Sequence, residues 1–95
     1  MGLHVELFDE VRVLRVMNHL GRHEDVIAAV KVLREKIKPW VDSSDQELAV
    51  NVRSIEQDLL DNSHTAAIGL GRWDEALSLN AGIVKVVEGR GAALL

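Results

Sequence analysis

One eight-residue phrase occurs twice in this chain, 50 residues apart: Leu20-Gly21-Arg22-His23-Glu24-Asp25-Val26-Ile27 and Leu70-Gly71-Arg72-Trp73-Asp74-Glu75-Ala76-Leu77. Each copy sets an aliphatic residue before a glycine, then arginine, a ring, two acids and two small or aliphatic side chains. A glycine takes the positive φ that ends one helix in a tight reversal. Two carboxylates suit the first turn of the next helix, where the backbone dipole is positive. The phrase therefore reads as a helix-to-helix turn, and its repetition predicts two helical hairpins. Leu20 and Leu70 close the first helix of each, the rings of His23 and Trp73 pack across the turn, and Ala76 (Val26 in the first copy) lets the helices approach.

The spacing of apolar residues supplies four helices. The first spans about residues 3–20, with Leu7, Val11, Leu14 and Val16–Met17 on its face. The second spans about 23–38, with Ile27, Val30, Leu33 and Ile37 in one stripe beside Val26, and Pro39 stops it. Ser43 or Ser44 suits the cap of the third, with Glu47 at the capping-box spacing from Ser44. That helix spans about 44–70 and carries Leu48, Val52, Ile55 and Leu59; the polar stretch Asp61–His64 leaves open two helices or, the favoured reading, one helix with room for a kink near Asn62. The fourth spans about 73–88, with Ala76, Leu79, Ile83 and Val87 on one face, Leu77 and Val84 beside it, and Gly89 and Gly91 at its end. Ala92–Leu95 form an apolar tail. Strand signals are nearly absent: there is no Asn-Gly or Asp-Gly hairpin turn.

The phrase resembles the turn of the tetratricopeptide repeat, which joins the two helices of each unit and runs Leu-Gly-Arg/Asp-Tyr/Trp-Glu-Glu-Ala. The second copy is a close match, and the first departs at His23 and Val26. Pro39 also stands where that family places a proline. The resemblance implies an all-α domain over residues 1–95, built as a right-handed stack of two hairpins. Two features depart from the family. The copies are 50 residues apart where the standard unit is about 34, and the family's mid-helix leucine-glycine pair is replaced by Val13-Leu14 and Ser63-His64.

Composition narrows the function. The net charge of −4 comes with 11 Lys and Arg spread along the chain, which leaves no basic footprint for nucleic acid. Lys31, Arg34, Lys36 and Lys38 are the densest basic stretch and sit where cations favour the end of the second helix. There is no cysteine, so thiol chemistry is ruled out and a cytoplasmic setting is expected. No apolar run is long enough to span a bilayer, and the N-terminus lacks a secretory pattern.

Few residues suggest chemistry. His19 and His23 are separated by Gly21 and should not share a helical face, and His4 and His64 have no ligand-like neighbours, so no metal or other cofactor is expected. Asp58, Asp61 and His64 succeed one another at three-residue steps and define an alternative to a binding role: a small bundle with a ligand-binding or acid/base site. A solvated helix face explains them better, since no nucleophile or phosphate loop accompanies them. Trp40 and Trp73 are expected to pack at the core or its edge rather than to await a partner.

In the repeat family, first helices line a concave groove that holds an extended peptide. By that resemblance Arg12, Arg15 and Asn18, with Asp58, Asp61, Asn62 and Thr65 in the second copy, are candidate peptide contacts. The acidic second set does not reproduce the two-basic-residue clamp some members use for C-terminal carboxylates. Two hairpins are also few for an architecture that buries apolar faces between neighbours. Leu77, Val84, Val86 and Val87 are candidates for an oligomer interface, a homodimer being the expected closed form, unless the chain is a piece of a longer array. The expected function is a protein-interaction scaffold, not an enzyme.

Overall fold

The computed structural model describes residues 2–40 and 44–94, and the side chains of 9–40, 44–45 and 47–88. The sequence expectations for His4, Leu7 and Ser43, and for the side chains of the apolar tail, lie outside the described residues. Four helices run in order: α1 (Gly2–His19), α2 (His23–Ile37), α3 (Gln46–Gly69) and α4 (Trp73–Leu94), with one 3-10 turn at Lys38–Trp40 after α2. Among the described residues there is no strand. α1 and α2 form one hairpin, α3 and α4 the other.

The two copies of the phrase fold alike. Gly21 and Gly71, at φ 79° and 72°, are the only described residues with positive φ. Gly21 N–H donates to the Asn18 carbonyl at 3.0 Å and Arg22 N–H to Met17 at 2.9 Å. Fifty residues on, Gly71 N–H donates to Ile68 at 3.0 Å and Arg72 N–H to Ala67 at 2.8 Å. Each pair caps the preceding helix as a Schellman motif, satisfying carbonyls that the helix end leaves open.

α3 starts one residue later than the capping-box reading requires. Asp45 is the N-cap, and its carboxylate accepts from the Leu48 N–H at 3.2 Å. Glu47 is then only the second helical residue and cannot reach back to close a box. The polar stretch does not interrupt α3. The Asn62 side-chain amide donates to the Asp58 carbonyl at 2.8 Å and the Thr65 hydroxyl to the Asp61 carbonyl at 3.0 Å. These side chains bond to the preceding turn of their own helix instead of breaking it. α4 likewise continues past Gly89 and Gly91 to Leu94. Glycine ends a helix sharply only where it turns left-handed, and neither does. Inside a helix it costs about 1 kcal/mol relative to alanine, and Ala92, Ala93 and Leu94 are strong helix formers.

The core is one cluster drawn from three helices: Val11 and Leu14 of α1, Val26, Ile27, Val30, Leu33 and Ile37 of α2, and Val52, Ile55, Leu59 and Ala66 of α3. The stripes read from α2 and α3 are thus the buried ones, and Trp40 packs against them as expected. On α1, Val16 turns outward while Met17 packs in. α4 contributes nothing to this cluster. It packs on α3 and, among the described residues, on no other helix. Its inward face is Ala76 (buried) with Leu79, Ile83 and Val86 half-buried. Val87, expected inward, is exposed, because the inner face drifts to Val86 along the helix.

His23 shows how closely the hairpins meet. Asn18 Oδ1 accepts from His23 Nδ1 at 2.9 Å, while Asn18 Nδ2 donates to the Asn62 carbonyl at 2.9 Å. One asparagine thus ties α1 to the start of α2 and to α3. A Cβ at Gly69 would overlap the His23 ring, so the last turn of α3 passes directly over it.

Gly69→Ala is therefore expected to lower stability by about 1–2 kcal/mol through overpacking, despite alanine's better helix propensity. In a His23→Ala background the same change should stabilise by about 1 kcal/mol. Denaturant unfolding of the four variants checks the reversal; the same sign in both backgrounds would contradict it.

Candidate functional site

Residues at steps of three and four share a helix face, and this arithmetic builds a polar hollow between α1 and α3. Arg15, Asn18 and His19 of α1 meet Asp58, Asp61, Asn62 and Thr65 of α3 around an open hollow of about 380 Å³. Six of the seven residues read as candidate peptide contacts are brought together here. Arg12 is not: its guanidinium pairs with Asp9 at 2.6 Å on the exposed side of α1. His19 joins the set unforeseen. It lies four residues after Arg15, on the same face of α1.

These groups have different freedom. Asn18 is committed at both ends of its amide, to His23 and to the Asn62 carbonyl, so it holds the hollow's walls together. Asn62 also spends its amide N–H on its own helix. Arg15 and the carboxylates of Asp58 and Asp61 are the charged groups that α1 and α3 present from opposite sides. Burial pushes the Asp61 carboxyl above its ordinary value; the neighbouring Asp58 carboxylate adds to the rise, and His64 partly offsets it. His64 does not line the hollow, so the triad Asp58, Asp61 and His64 is not assembled around it. Among the described residues no group of three or more His, Cys, Asp or Glu is placed to hold a metal.

The second candidate surface is the outer face of α4. Leu77 is 69% exposed, and Val84 and Val87 are exposed with it. Val86 is half-buried. Trp73 departs from expectation: it is 63% exposed and does not pack across its turn. His23, in the same place of the first copy, is covered by Gly69 of α3, and no described element passes over Trp73 in the same way. The basic residues of α2 are balanced where they lie. Lys36 reaches Glu10 at 3.5 Å, while Lys31, Arg34 and Lys38 share an open cleft with Glu35, Glu56 and Glu75. No helix among the described residues is long and apolar enough to cross a membrane.

Because the folded state raises the affinity of Asp61 for its proton, ionising it costs stability. That cost is absent below the ordinary carboxylate value of about 4 and grows as pH rises through the higher folded value. Asp61→Asn should therefore unfold at a slightly higher temperature than the parent at pH 7, with the difference vanishing near pH 3. Thermal melts at both pH values measure this; an equal or lower melting temperature for the variant at pH 7 would contradict it.

No protein-family model, curated protein or solved structure matches this chain, so its function is read from its own residues and their placement.

Proposed function

We propose that the chain is a protein-interaction module of the tetratricopeptide-like kind. It holds an extended segment of a partner protein in the hollow between α1 and α3, and it self-associates through apolar helix faces. The observation that carries the first part is the convergence of Arg15, Asn18, Asp58, Asp61, Asn62 and Thr65 on one open hollow. An extended peptide brings unpaired backbone donors and acceptors, which must be met by polar groups on a rigid support. Helices α1 and α3 supply that support, and Asn18 fastens them together.

The charges suggest what the segment carries. Two carboxylates on α3 face one guanidinium on α1, so a lysine or arginine side chain against Asp58 and Asp61 has the best partner. A charge-assisted bond of this kind is about twice as strong as a neutral one. Arg15 remains for a carbonyl or carboxylate of the same segment. His64 stands outside the hollow that Asp58 and Asp61 line, which favours binding over the acid/base alternative. A cysteine-free chain suits the cytoplasm as the place where it works.

A random peptide library selected on the 95-residue chain tests the reading. Selected peptides should carry basic residues and lose at least about tenfold in affinity against Thr65→Arg or Asp58→Arg, read by fluorescence anisotropy. Tenfold corresponds to about 1.4 kcal/mol. Peptides indifferent to both substitutions, or no enrichment at all, would contradict it.

A further inference from the structure

The 50-residue repeat allows each surface of one hairpin to be compared with its counterpart on the other. On α2, the residues His23, Ile27, Val30 and Ile37 are buried or half-buried, in a helix that packs on both α1 and α3. Their counterparts on α4 are Trp73, Leu77, Asn80 and Val87, and all four are exposed. α4 has its own hairpin partner, α3, but among the described residues nothing takes the position against it that α3 takes against α2.

The opposite end shows the complementary vacancy. On α3, Ser63, Ala66 and Ala67 are buried. Their counterparts on α1 are Val13 and Val16, which are 56% and 58% exposed, and Met17, which is half-buried. Val13 and Met17 line an almost wholly apolar groove of about 340 Å³ between α1 and α2, with Ala29 and Val32 on its other wall. Among the described residues, the outer face of α4 and the α1–α2 groove are therefore the two faces that no hairpin covers.

Charge obeys the same pattern. Within the chain, Arg72 of the second turn reaches back to Glu24 of the first, and also approaches Glu75 in its own helix. Arg22 makes the counterpart of the local pair, with Asp25 at 2.9 Å. The counterpart of the Arg72–Glu24 pair would join Arg22 to Asp74, and these residues can meet in that way only between two copies.

We propose that two copies of this chain associate head to tail. The exposed face of α4 on one copy receives α1 and α2 of a second, as α2 receives α3 within the chain, with Asp74 of the first set against Arg22 of the second. The proposal rests on the self-association part of the functional reading and replaces the symmetric dimer with a heterologous contact. Such a contact uses two different patches, leaves one of each free, and so extends beyond two copies. Each joint repeats a fold the chain already makes, and it covers apolar surface that otherwise faces water.

The test uses two variants at exposed positions, Leu77→Glu and Val16→Glu, each first shown by circular dichroism to keep the parent's helix content and melting temperature. Sedimentation of the parent should show an average mass that rises with concentration past that of a dimer. Each variant alone should sediment as a 10.5 kDa monomer. An equimolar mixture should form a species of twice that mass and stop there, because one intact α4 face meets one intact α1–α2 face. A Val16→Glu variant that dimerises alone while Leu77→Glu stays monomeric would overturn the head-to-tail arrangement in favour of a symmetric α4 contact. A parent that is monomeric at every concentration would overturn self-association itself, and the peptide-binding reading would stand apart from that result.

Discussion

The apolar stripe of α3 is what the rest of the molecule is assembled on. Val52, Ile55 and Leu59 return at three- and four-residue steps, and all are buried. α1, α2 and α4 each pack against this helix, and for α4 it is the only described contact with another helix. Burying a large aliphatic side chain contributes about 1.5–3 kcal/mol. A helix that meets three others therefore sets the stability of all of them. The 24-residue length of α3 suits this role, since it must reach from the 3-10 turn at Lys38–Trp40 to the second glycine turn.

The functional surfaces are consequences of the same arrangement. Because α3 packs beside α1, the polar faces of the two helices are brought edge to edge, and Asn18 secures them. The hollow's two walls are thus fastened to each other beside the core. Among the described residues α4 rests on α3 alone, and its outer face is left exposed. The same phrase that makes a closed, fastened turn at His23 makes an open one at Trp73. The difference lies in the spatial neighbour of each hairpin, α3 over His23 and none over Trp73. The turns themselves are equivalent, since their hydrogen bonds match donor for donor.

Much of this was legible from the residues alone. The glycine turns, the order of four helices and the buried stripe of α2 all come from short periods and one repeated phrase. What escaped was whatever depends on distant parts of the chain. The exposure of Trp73 reflects a missing neighbour, and a ring in a repeated turn gives no local sign of that. The inward placement of Val86 instead of Val87 depends on the angle at which α4 crosses α3. The run of α4 through Gly89 and Gly91 escaped because glycine is a stop only when its φ turns positive. Asp45 is masked as a cap by the two serines just before it, which suit the same position. His19 shares the Arg15 face, a four-residue spacing that carries the signal for it.

The central claim is that α3 organises the fold and that, among the described helices, α4 is held by α3. Native-state hydrogen exchange in dilute solution tests it most directly, because each amide reports the smallest opening that exposes it. The amides of Val52–Leu60 should exchange only with global unfolding, and those in the second half of α4 should exchange through a smaller, local opening. Uniform protection of α4 and α3, or local opening of α3 ahead of α4, would contradict the account.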